Sequence, residues 1–128
     1  MSEAIVFISH QKVKPGRLEE FRQLYQKVVA EIEAEKPGTI TPLGYASQDG
    51  SQVTFLHLFP DAQAMERHLL GVDARVQQAA EFVQTESFEI YGQPSQAVLE
   101  RMMQFAGSGI GLSVQPDSLG GYLRLKSG

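Results

Sequence analysis

AIVFISHQKVKPG, residues 4–16, followed by RLEEFRQLYQKVVAEIEAEKPG, residues 17–38, is the stretch on which the reading of the fold turns. From Ala4 to Val13 the side chains alternate: Ile5, Phe7 and Ser9 point one way, Val6, Ile8 and His10 the other. Both sets are apolar for most of the length, so a strand covered on both faces is expected. Pro15-Gly16 ends it. Leu18, Phe21, Tyr25, Val28 and Ile32 then recur at helical spacing, with Leu24 and Val29 widening the stripe. The Glu, Lys and Arg residues between them read as a solvated face. Lys36-Pro37-Gly38 stops the helix.

Working outward, Thr41–Ser47 and Gln52–Phe59 flank Gln48-Asp49-Gly50-Ser51. Asp-Gly at the centre predicts a type I′ hairpin, in which both central residues take positive φ. Val53, Phe55, His57 and Phe59 share one face of the second of these strands; Thr54, Leu56 and Leu58 share the other. Pro60-Asp61 opens a second helix with Asp61 as N-cap and Met65, His68 and Leu69 on one side. Gly71 breaks it, and Asp73 recaps a short continuation through Val83. Glu86–Tyr91 is a fourth strand. The order β-α-β-β-α-β predicts an α+β, ferredoxin-like fold with an antiparallel sheet. A third helix is expected over Ser95–Phe105, its apolar side formed by Leu99, Met102 and Met103. Beyond it Gly107-Ser108-Gly109-Ile110-Gly111 is not a dinucleotide loop. It follows a helix rather than a strand, and Leu112 stands where the third glycine belongs. Tyr122, Leu123 and Leu125 suggest a late strand or clasp. The expected division is residues 1–93 for the main unit and 94–128 for a C-terminal helix and glycine-rich extension.

Composition narrows the chemistry. The chain has 128 residues, 42% of them hydrophobic, with no cysteine, no tryptophan, three histidines and a net charge of −4. One core is the natural number at this length. Without cysteine there is no thiolate nucleophile, disulfide frame or cysteine-ligated metal. No apolar run is long enough to span a bilayer and no signal-peptide pattern opens the chain, so a cytoplasmic protein without membrane contact is expected. The pI near 5.3 argues against nucleic-acid binding. RNA-recognition modules share the element order, and IVFIS and VTFLHLF fall where their stacking aromatics would. Gly50-Ser51-Gln52, however, replaces the basic-Gly lead-in of those modules.

The opening strand AIVFISHQKVKPG, the helix GRLEEFRQLY, the segment FPDAQAMERHL and the closing ESFEIYG together resemble the antibiotic-biosynthesis-monooxygenase-like family. The resemblance covers about residues 4–92. It implies a dimeric α/β barrel in which two four-stranded sheets pack face to face, the partner being a second copy of this chain. This agrees with the two apolar faces of the first and third strands, since helices cover only one. The family includes cofactor-independent oxygenases of quinols and polyketides, haem-degrading enzymes and members without known activity. Where the haem branch uses an Asn, a Trp and a His, this sequence places Ser9, Phe59 and Gln78, so haem degradation is not expected.

A cofactor-free oxygenase must remove a proton from a phenol or enol within an apolar pocket, and imidazole is the natural base. His57 lies about 7–10 Å down its strand from the strand's end. His68 lies about 10 Å down the following helix. The two are therefore expected at similar depth, as the catalytic candidates, and Ser9, Phe55, Phe59, Met65 and Tyr91 are the candidate substrate contacts. Either histidine could instead be a packed, hydrogen-bonded core residue. His10, beside Val6 and Ile8, belongs to the partner-facing side. No metal is expected, since H-x-x-x-H and H-E-x-x-H spacings are absent. Two functions stay open: an oxygenase of a small electron-rich aromatic needing no cofactor, or a non-catalytic homodimer that binds a small apolar ligand or serves as an interaction module.

Overall fold

The computed structural model describes residues 4–106 and 109–122. Its elements are β1 (Ile5–Val13), α1 (Leu18–Glu35), β2 (Thr41–Ala46), β3 (Gln52–Phe59), α2 (Ala62–His68), α3 (Val72–Ala79), β4 (Val83–Tyr91), α4 (Gln96–Ala106) and β5 (Gly111–Gln115). The strands form one sheet in the order β2-β3-β1-β4-β5. The first four reproduce the expected ferredoxin-like arrangement. β5 runs parallel to β4, so the sheet is mixed rather than antiparallel throughout. That strand precedes the segment expected to supply a late one. Tyr122 is exposed, and Leu123 and Leu125 lie outside the described residues.

Register fixes the two faces. Phe7 lies opposite His57 and Ile5 opposite Phe59, which puts the odd-numbered side chains of β1 and β3 under the helices. There Ile5, Phe59, Met65, Ile90 and Met102 are fully buried in one core that also takes Val98 of α4. A second core gathers Val13, Phe21, Val53, Phe55 and Val83. On the opposite face Ile8 sits between Leu56 of β3 and Glu89 of β4, and Leu56 also meets Leu43 of β2. Among the described residues no helix covers these side chains: Leu43 and Tyr45 are exposed, and Val6, Ile8 and Leu56 are half-buried.

Local chemistry explains the departures from expectation. Asp49 keeps a negative φ and only Gly50 is left-handed, so the hairpin is not type I′. The Asp49 carboxylate instead accepts from the Ser47 hydroxyl at 2.8 Å, and from the Ser51 amide and hydroxyl at 3.0 and 2.7 Å. These bonds stabilise a four-residue connection and hold the carboxyl down to about pH 2. Asp61 does cap α2, accepting from the Ala64 amide at 2.8 Å. α3 is capped by Gly71 in the left-handed conformation. Asp73 sits within its first turn and pairs with Arg101 of α4, and the helix ends at Ala79, short of Val83. On α4 the inward stripe is Val98, Met102 and Phe105, whereas Met103 is exposed. No helix of the described residues is long and apolar enough to cross a membrane.

Candidate active site

Between the helix side of the sheet and the inner faces of α1 and α3 lies a cavity of about 530 Å³. Its floor carries Phe7, Ser9, Phe55 and His57. α1 contributes Leu24, Tyr25, Val28 and Ile32, and α3 contributes Val72, Arg75, Val76 and Ala79. The space exists because α3 does not pack down: none of its residues is buried. Its inward side chains are short except for Arg75.

His57 and His68 meet at one end of this cavity. Their ring centroids are 4.7 Å apart, and Phe59 packs against both, at 6.1 Å from His57 and 5.1 Å from His68. Phe7 adds a further ring contact to His57. β3 delivers His57 by the period of two, and α2 delivers His68 from its last turn. His68 is only 4% exposed, and its Nδ1 lies 2.9 Å from the Thr39 hydroxyl. His57 Nδ1 is buried with no partner, so the reachable part of that ring is the part lining the cavity. Arg75 donates from Nη2 to the His68 carbonyl. It forms no ion pair among the described residues, although the Glu31 and Glu35 carboxylates act on it from α1.

Both imidazoles are neutral at pH 7. Burial, and then the Arg75 charge, pushes His57 down to about 4. Burial, followed by His57, Arg75 and Lys36, pushes His68 down to about 3. Burial also lowers Arg75, offset by the two glutamates. The site thus holds two uncharged proton acceptors beside a guanidinium in apolar walls. Among the described residues no group of three or more His, Asp or Glu side chains is placed to hold a metal.

Of the seven residues singled out from sequence, Ser9, Phe55, His57 and His68 line the cavity. Ser9 is buried and accepts a hydrogen bond from Gln11 Nε2 at 3.0 Å. Phe59 and Met65 are wholly buried in the core and do not line the space; Phe59 packs against both histidine rings. Tyr91 is corrected outright: opposite Val6 it stands on the open face, where its hydroxyl donates to Glu89. The period of two puts Tyr91 and Ile90 on opposite sides, and Ile90 is the buried one. His10 is also on the open face, bonded to Glu89 and, at 3.2 Å, to Thr54. Sequence reading missed Arg75 and Thr39. Arg75 had a signal, a cation at the i+3 position of the Val72-Val76-Ala79 stripe. Thr39 had none, because its role depends on how a turn lies against α2.

By sequence, no protein-family model matches this chain and no curated protein is similar to it. Solved structures are more informative. MupZ from Pseudomonas fluorescens superposes with a TM-score of 0.68 at 15% identity, over 94% of this chain and 95% of that one. SnoaB, a cofactor-independent oxygenase from Streptomyces nogalater, gives 0.60 at 16% identity, over 74% and 97%. A Bacteroides thetaiotaomicron protein assigned as an antibiotic biosynthesis monooxygenase gives 0.58 at 21%, over 69% and 85%. In fold, this chain resembles the antibiotic biosynthesis monooxygenases. At these identities the likeness speaks for the scaffold. The MupZ match covers more of this chain than the other two, 94% against 74% and 69%.

Proposed function

We propose that the protein is a homodimeric oxygenase that needs no cofactor and acts on a small electron-rich aromatic of quinol or polyketide type. The observation that carries this reading is the pair of neutral imidazoles, 4.7 Å apart, at the end of an apolar cavity beside a guanidinium. SnoaB, a fold neighbour, is a cofactor-independent oxygenase, which supports the same chemistry. His68 Nε2 takes the proton of the substrate hydroxyl, and the Arg75 charge stabilises the oxyanion that forms. The anion gives an electron to O2, the two radicals join as a peroxide at carbon, and loss of water leaves a quinone. One oxygen atom enters the substrate and the other leaves as water. Ser9 and Phe55 hold the aromatic body.

The low basicity sets a scale. A phenol titrating near 10 faces a base near 3, a gap of about seven units or about 10 kcal/mol. That is uphill yet within the barrier of a turning enzyme. The pairing of imidazolium with the new oxyanion reduces it.

The partner is a second copy of this chain, docked on the open face. Leu56, Ile8 and Val6 form an apolar patch at the centre of the sheet, with Tyr45 and Leu43 beside it. The family resemblance implies the same face-to-face barrel.

The depressed basicity favours one other reading, a homodimer that binds a small apolar ligand without turnover. Oxygen uptake with a panel of hydroquinones separates the two. The oxygenase reading predicts uptake that falls at least about 100-fold in His68→Ala. Binding of the same compounds with no uptake above buffer supports the other reading.

A further inference from the structure

The two imidazoles differ in what holds their Nδ1 atoms. His68 Nδ1 faces the Thr39 hydroxyl at 2.9 Å, whereas His57 Nδ1 is buried and unpartnered. Neither Nε2 has a protein partner among the described residues. A neutral imidazole carries its proton on one nitrogen only, and the bond made by the other decides which. For His57 a proton on Nδ1 would be an orphaned buried donor, so it resides on Nε2, on the cavity side. If His68 also carried its proton on Nε2, two N–H groups and the Arg75 guanidinium would converge on an apolar space without an acceptor. The complementary arrangement has His68 Nδ1–H donating to Thr39 Oγ1.

We infer that Thr39 is a positioning residue that sets the tautomer of His68, leaving its Nε2 bare as proton acceptor while His57 presents an Nε2–H to the same point. A substrate hydroxyl then donates to His68 and accepts from His57 at once, and the developing oxyanion keeps the His57 bond after its proton has moved. This inference rests on the reading of His68 as the base.

Thr39 is well fixed for the task. Its amide donates to the Lys36 carbonyl at 3.0 Å, and the next amide, Ile40, donates to Leu58 of β3 at 2.8 Å. Lys36 Nζ donates to the Arg67 carbonyl at 2.9 Å, tying the same turn to α2. Gly38 lies so close to α2 that a Cβ there would stand 3.2 Å from both Ala64 Cβ and Arg67 Nη2. The turn is therefore pinned between β3 and α2, and a hydroxyl on it has little freedom. The charged groups acting around the pair are Arg75 and Lys36, with Glu31 and Glu35 acting on Arg75. Both rings are neutral near pH 7, so each has one tautomer to assign.

Nitrogen NMR of the full chain with ¹⁵N-labelled histidine reads the tautomers directly at pH 7, without substrate. The expected spectrum shows His68 protonated at Nδ1 and bare at Nε2, with His57 the reverse. Thr39→Val removes the hydroxyl at nearly constant volume and shifts the His68 proton onto Nε2. Oxygen uptake with 1,4-dihydroxynaphthalene then falls about 10- to 100-fold, mainly in kcat. Thr39→Ser keeps the native tautomers and most of the rate. His68 protonated at Nε2 in the native protein overturns the inference, and so do unchanged tautomers in folded Thr39→Val. If Thr39→Val does not fold, the native and Thr39→Ser spectra decide alone. Absence of oxygen uptake removes the oxygenase reading and leaves the tautomer result to judge Thr39.

Discussion

On the helix side of the sheet, His57 and His68 have lost water and gained no carboxylate; on the open side, His10 is bonded to Glu89 and Thr54, and Tyr91 donates to Glu89. These hydrogen bonds hold Glu89 below the usual carboxylate range and push Tyr91 up. On the open side His10, Thr54, Glu89 and Tyr91 thus satisfy one another, as polar groups must if the proposed dimer is to cover them without orphaned groups. Among the described residues, the helix side keeps cavity-facing nitrogens with no protein partner and a guanidinium that forms no ion pair. Unsatisfied polarity around empty space is what a ligand site requires, and satisfied polarity among Ile8, Leu56 and Tyr45 is what an interface requires.

The largest effect that should separate the two faces is on assembly. Leu56→Asp places a carboxylate at the centre of the open face while leaving both buried cores intact. An unpaired charge at that position costs about 3–5 kcal/mol on burial, so the proposed dimer should dissociate about a thousandfold more readily. Sedimentation velocity reads this, and native helical ellipticity should persist. A Leu56→Asp protein that stays dimeric would mean that the copies meet elsewhere.

The next effect is on acid stability, and it belongs to the helix side. An unfolded imidazole titrates near 6.5, while His57 in the fold titrates near 4. Between those values the unfolded chain binds the proton and the folded one does not. Stability is therefore lost as pH falls from about 6.5 towards 4, by about 3 kcal/mol for this group. Urea midpoints across that range should fall accordingly. His57→Phe, which suits a cluster already holding Phe7 and Phe59, should remove that share of the slope. A slope unchanged in His57→Phe would show that the ring is not desolvated.

The smallest effect concerns Tyr25. Its ring stacks on Phe55 at 4.9 Å, but its hydroxyl is buried with no partner, and its titration is pushed up to about 12 by burial and by Tyr45. Tyr25→Phe should leave stability within about 1 kcal/mol of native, or raise it, because an orphaned hydroxyl is removed. A thermal melt showing a larger loss would reveal that the hydroxyl is hydrogen-bonded in solution.

Much of this division could be read from the chain. The alternation of Ile5 to His10 separated the two faces, and strand and helix rise brought His57 and His68 to the same depth. Tyr91 went astray because β4 buries both Val83 and Ile90, its phase changing where the register shifts opposite His10 and Gln11, and the short stretch Glu86–Tyr91 leaves that phase ambiguous. The parallel strand β5 escaped because Gly111–Gln115 offers one half-buried alternation inside a glycine-rich stretch. Thr39 could not be found from sequence: a hydroxyl between Gly38 and Ile40 acquires meaning only when α1 ends against α2.

Which face takes the ligand is the question on which the account rests, and anaerobic titration answers it most directly. With 1,4-dihydroxynaphthalene added under nitrogen to protein labelled at histidine, the His57 and His68 ring signals should shift and saturate together while those of His10 stay in place. Shifts at His10 with His57 and His68 unmoved would contradict the assignment of the cavity as the active site.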